Sequence, residues 1–202
     1  MGILERLRDE TRHLHQALEN DLPVMRPNLQ WPDYRRLLAR FYGFYAPVEQ
    51  ALARVPDLES TLPDWPQRRK LDSLAKDLGV LGLSPHEISG LSVCVHFPAT
   101  PGVEEALGCL YVLEGSTLGG QIIGRHLENT LRVGIDNGAS FFRSYGDRVG
   151  PMWKIFQEVL RSRDAANHVR MINAASQTFE SIHRWLKEGA IREENTEFPN
   201  RE

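Results

Sequence analysis

Residues 107–131 read LGCLYVLEGSTLGGQIIGRHLENTL, and this stretch decides the fold. Leu107, Leu110 and Leu113, then Ile122, Ile123 and Leu127, recur at helical spacing, and no proline interrupts them. Gly115, Gly119, Gly120 and Gly124 fall within ten residues of that pattern. A helix-interior glycine costs about 1 kcal/mol relative to alanine, so the segment is expensive as a helix and its glycines must have a use. They fit two readings. One is close packing of a neighbouring helix. The other is a helix kinked over a flat ligand that its bare backbone can approach.

The remaining chain also reads as helices. The 202 residues suit one domain, and 41% hydrophobic content at a net charge of −3 marks an ordinary globular chain with no basic balance pointing to nucleic acid. No apolar run reaches the length of a membrane span, and the charged start MGILERLRDE is unlike a signal peptide, so the expected location is cytoplasmic. Cys94 and Cys109 match no metal-site spacing and read as buried small hydrophobes in a reducing compartment.

From Gly2 to Asn20 the residues Leu4, Leu7, Thr11, Leu14 and Leu18 form one helical stripe. His15 lies at its edge, with Arg8 and Glu19 on the same flank, whereas His13 falls nearly opposite. Glu19, one turn beyond His15, is placed to brace the imidazole of a metal-bound histidine. A partly buried histidine with an ordinary i,i+4 hydrogen bond fits the same spacing. A second helix is expected from Pro32 to Arg54, kinked or broken at Pro47, with Tyr34, Phe41 and Tyr45 in its core stripe. Val55–Pro66 reads as a loop, followed by a short helix to Leu78. Gly134–Gly150 is turn-rich, with a short helix around Ala139–Ser144. Pro151 starts another helix, and a last one runs from Ala165 to Lys187, stopped by Gly189, with Val169, Ile172, Phe179 and Ile182 inside. The expected class is all-α: one helical domain over 1–189 and a loose polar tail over 190–202.

Two segments resemble the haem oxygenase family. Thr11, His15 and Glu19, spaced four apart with Leu7 and Arg8 ahead of them, are similar to its proximal helix. Gly115-Ser-Thr-Leu-Gly-Gly-Gln121 resembles its distal helix, about 100 residues on. The stretch from Tyr111 to Ile123, and RFYGFYAP at 40–47, are similar to the bacterial branch that supplies biliverdin to bacteriophytochromes. The resemblance implies a haem-oxygenase-like helical bundle with a glycine-kinked distal helix. It implies oxygen- and electron-dependent cleavage of haem to biliverdin, ferrous iron and carbon monoxide, with haem as both substrate and cofactor. His15 would be the proximal iron ligand and Glu19 its support. Gly115, Gly119 and Gly120 would form the distal wall, with Ser116 where the animal enzymes carry an Asp. Arg8 and Arg161 would meet haem propionates, and Phe179 would contact the ring. The implied partners are molecular oxygen, an external electron donor (ferredoxin, flavodoxin or a reductase) and a bacteriophytochrome as biliverdin acceptor. A haem carrier or sensor that leaves haem intact would share His15 and the pocket. A helical relative acting on thiamine or a quinone cofactor would share the architecture without the His15 and glycine pair.

Overall fold

The computed structural model describes residues 2–193, and these contain nine α-helices and no strand. In chain order they are α1 (Ile3–Asp21), α2 (Trp31–Leu52), α3 (Leu58–Thr61), α4 (Trp65–Arg68), α5 (Leu71–Val80), α6 (Pro85–Ser89), α7 (Val103–Leu131), α8 (Val149–Arg161) and α9 (His168–Glu193). The all-α expectation therefore holds, with differences that have local causes. Pro47 sits inside α2 without ending it. The 55–66 segment carries the short helix α3 and the start of α4. Ala139–Ser144 forms turns, not a helix. Gly189 does not stop α9, which continues to Glu193; the rest of the tail expected at 190–202 lies outside the described residues.

The helix starts follow local chemistry. The Gly2 amide donates to Glu5 at 3.0 Å ahead of α1, and Ser84 and Glu87 cap α6 reciprocally. Glu104 and Glu105 put negative charge in the first turn of α7, where the helix dipole favours it. In α1 the expected stripe faces inward, with Leu7, Thr11 and Leu18 buried.

α7 is the central helix. It packs on α9 so closely that a Cβ at Gly108 would strike the Met171 carbonyl and the Ala174 side chain. Leu107, Leu110, Leu113 and Leu127 are buried as expected, but Ile122 turns outward, as does Val169 at the start of α9. The segment after α7 folds back over α2. Asp77 of α5 pins it, accepting from the Ser140 and Phe141 amides at 2.9 and 2.8 Å and from the Ser140 hydroxyl at 2.7 Å. The Tyr34 hydroxyl adds a bond to the Gly138 carbonyl at 2.6 Å. These ties set Phe141 and Phe142 against Phe41, with ring centroids 5.2 and 5.8 Å away. On the other side of α9, Asp21 at the end of α1 meets His183 at 2.7 Å and Lys187 at 3.2 Å.

Candidate functional site

A cleft of about 360 Å³ opens where α1, α7 and α9 converge. α1 supplies Arg8, Thr11, Arg12, His15 and Glu19, and α9 supplies Phe179 and Ile182. α7 supplies Gly115, Ser116, Gly119 and Gly120. Phe41 and Tyr45 of α2 join Phe141 and Phe142 in the lining, so part of the aromatic stripe of α2 is cavity wall as well as core. The volume and the apolar lining suit a small-molecule site with a few fixed polar groups.

His15 stands on the cleft with its side chain 52% exposed. Its Nε2 lies 3.3 Å from Glu19 Oε1, and its ring packs on Phe179 at 5.6 Å between centroids. The Nε2 side of the imidazole thus faces a carboxylate. His13 is exposed and takes no part in the lining, which separates the two histidines as the helix periodicity indicated. At the rim, Arg8 and Arg12 both reach Asp9, at 3.1 and 2.8 Å.

The glycines of α7 divide between the two readings. A Cβ at Gly119 would meet nothing within 4 Å, and one at Gly115 would make only ordinary contact with Trp153 at 3.8 Å. At Gly120 a Cβ would stand 2.6 Å from the Phe142 carbonyl, and at Gly124 it would strike the Arg143 side chain. Gly119 leaves cavity, whereas Gly120 and Gly124 admit the neighbouring segment; Gly120 does both, because it also lines the cleft. Ser116 lies in the lining too, its hydroxyl donating to the Leu113 carbonyl at 2.7 Å.

Arg161 is not brought to this cleft. The buried face of α8 is Val149, Met152, Phe156 and Leu160, so Arg161, one step round the helix from Leu160, points to solvent. Arg12 stands at the rim instead. The i,i+4 spacing of Arg8 and Arg12 was available in the sequence as a signal for it.

Lys70 carried no such signal, because Arg68-Arg69-Lys70 reads as an exposed basic run. In the fold Lys70 is 3% exposed and lines the cleft. Its Nζ donates to the Arg68 carbonyl at 2.8 Å, lies 3.6 Å from Glu114 Oε1 and sits 3.7 Å from the centre of the Tyr145 ring. Glu114 also accepts from the Arg68 guanidinium and, at 2.8 Å, from the Tyr145 hydroxyl. Arg68 is held on its other side by Asp64 at 2.6 and 2.8 Å.

Burial pushes the Lys70 ammonium down from 10.5 to about 8, with the neighbouring Glu114 and Glu49 carboxylates partly opposing it. Between those values the unfolded chain holds a proton that the folded chain has lost, so stability rises with pH there. Below about pH 8 the cost of the buried charge is fully in force. Lys70→Met should therefore exceed the wild type in urea-denaturation stability at neutral pH, and the gap should narrow as the pH is raised toward 10.5. A gap that is constant with pH, or reversed in sign, would contradict this account.

The cleft thus sets an imidazole and a carboxylate on one wall and helix backbone bare of side chains on another. The sequence comparisons specify the class. The family model described as "Heme oxygenase" matches residues 1–188, and the chain belongs to that family. A curated relative from Xanthomonas campestris pv. campestris, named "Heme oxygenase", is 32% identical over 157 residues, covering 76% of this chain and 88% of its own length. The fold is similar to the NO- and CO-bound haem oxygenase of Neisseria meningitidis, with TM-score 0.78 and 22% identity over 94% of this chain and 92% of that one. It is also similar to Synechocystis haem oxygenase-1 in complex with haem, with TM-score 0.74 and 18% identity over 96% of each chain.

Proposed function

We propose that this chain binds haem in the cleft of α1, α7 and α9 and cleaves it, with molecular oxygen and electrons from an external donor, to biliverdin, ferrous iron and carbon monoxide. The observation that carries the reading is Gly119. It is a helical residue with open space where its Cβ would be, in the lining of an apolar cleft that also holds a braced histidine. The donor set suits the substrate, which would bring its own metal and could be held by the His15 imidazole.

Haem supplies the oxygen-activating centre and the carbon that is attacked, so the protein's part is binding, orientation and control of water. His15 would offer an imidazole nitrogen to the iron, without the strong electron push of a thiolate. Glu19 holds the imidazole orientation. Phe179 packs on the imidazole and extends the apolar surface along the ring. Gly119 leaves open space where a Cβ would stand, beside Gly115, Ser116 and Gly120 in the same lining, so helix backbone would border the bound ligand and steer oxygen toward the ring edge. Arg8 and Arg12 at the rim suit the two propionates and so fix which edge faces α7. Phe41, Phe141 and Phe142 add apolar surface for a flat ring to lie against.

The donor is a small electron carrier of the ferredoxin or flavodoxin type, or a reductase. The similarity of 111–123 and 40–47 to the branch serving bacteriophytochromes supports such a protein as the acceptor of biliverdin. Two free, buried cysteines, with the Cys109 thiol pushed up to about 12 by burial, suit the reducing cytoplasm. Among the described residues no helix is long and apolar enough to cross a membrane.

One cuvette tests the reading. Haemin is mixed with the protein, a Soret band is recorded, and a ferredoxin with its reductase is added in air with catalase present. Decay of the Soret with growth of a red biliverdin band is expected. A Soret that persists with the donor system present would make the protein a carrier or sensor, and no Soret would discard haem altogether.

A further inference from the structure

Lys70 has no part in the scheme above, yet it is the buried cation of the cleft. We propose that Lys70 is a positioning residue for the α7 side of the site: its ammonium anchors the water that lies beside bound oxygen and sets the electrostatic field there. The inference rests on the haem reading.

Three observations on this chain support it. First, Lys70 is surplus to the ion pair it joins. Glu114 already has the Arg68 guanidinium and the Tyr145 hydroxyl, both nearer than the Lys70 Nζ at 3.6 Å. Secondly, an ammonium has three N–H donors. The Arg68 carbonyl takes one and Glu114 draws a second, which leaves one for a water in the cleft that the residue lines. Thirdly, the same lining holds other polar groups suited to a water. The buried Ser144 hydroxyl oxygen has no partner among the described residues. The Tyr45 phenol faces Ser116, itself on the glycine wall of α7. A bound water requires two to four polar partners, and Lys70, Ser144, Ser116 and Tyr45 offer that number in the lining away from the polar groups of α1.

The charged and titratable groups around the ammonium are Glu114 of α7, Glu49 of α2, Arg68 and Asp64 of α4, the adjoining Arg69, and the phenol of Tyr145. With Lys70 protonated, the two carboxylates Glu114 and Asp64 balance Arg68 and Lys70. On loss of its proton the cluster turns net negative toward the cleft.

The experiment uses carbon monoxide as a field probe. The infrared CO stretch of the ferrous haem complex is followed from about pH 6 to about pH 10 in the wild type, Lys70→Met and Lys70→Arg. A nearby cation lowers this frequency. The wild type is expected to show a low stretch that rises with a midpoint near 8 as the ammonium discharges. Lys70→Met should sit at the high frequency throughout, and Lys70→Arg should stay low throughout, a pattern that a structural role alone would not produce. A wild-type stretch independent of pH, or a Lys70→Met stretch that still moves like the wild type, would overturn the proposal. If Lys70→Met takes up no haem, the wild-type titration decides on the same terms. Absence of a Soret band in the wild type would sink the haem reading instead, so the two failures are distinct.

Discussion

His15→Ala is expected to lose the sharp Soret band that the wild type forms with haemin, with affinity down by at least about tenfold, or about 1.4 kcal/mol. Added imidazole should restore the spectrum by filling the vacated place. His13→Ala should titrate as the wild type does, because His13 lies on the solvent side of α1 and outside the cleft lining. The contrast isolates ligation from any general effect of removing a histidine from α1. Identical spectra for wild type and His15→Ala would end the assignment of the proximal side.

The second large effect separates two glycines that are neighbours in sequence. Gly119→Leu places a side chain in open space in the cleft. Its fold should be unharmed, and a helix-interior leucine in place of glycine adds up to about 1 kcal/mol of helix propensity. Thermal unfolding should hold or rise while haem uptake and turnover collapse. Gly120→Ala does the reverse. Its Cβ would stand 2.6 Å from the Phe142 carbonyl, which is backbone and cannot swing aside. Overpacking of this kind costs typically 1–3 kcal/mol, so its unfolding midpoint should fall while the cleft remains open. Thermal melts and haemin titration on the two variants check both halves. Equal melting and equal uptake would refute the division of the wall into cavity and packing positions.

What was legible in the sequence is what depends on local spacing. The α1 stripe separated His15 from His13 because one helix face is a matter of about 100° per residue. Helical periodicity in the glycine segment survived four glycines, because the buried leucines of α7 hold it. What was hidden depends on partners distant in the chain. Lys70 and Glu114 are 44 positions apart, and nothing near Arg68-Arg69-Lys70 announces that Tyr145 and Glu114 will enclose it. The hold of Asp77 on Ser140 and Phe141 spans 63 and 64 residues, so a turn-rich stretch became a cavity wall without a local signal. Which face of α8 turned inward was set by Met152, Phe156 and Leu160, and this carried Arg161 outward. Pro47 failed to break α2 because helix packing outweighs one missing backbone bond when Phe44, Tyr45 and Val48 around it are buried.

The tie between Asp21 of α1 and the His183 and Lys187 pair of α9 bears on how the cleft empties. α1 carries one wall of the cleft, with His15 on it. The ion pairs at its far end are open to solvent, with Asp21 45% exposed and Lys187 61% exposed. Raising ionic strength from about 0.15 M to about 1 M shortens the screening distance from about 8 Å to about 3 Å. The same salt does not screen the apolar contacts between α7 and α9, such as Gly108 against Met171 and Ala174. Where product release past α1 limits turnover, turnover should quicken with salt, through ion pairs that lie outside the cleft lining.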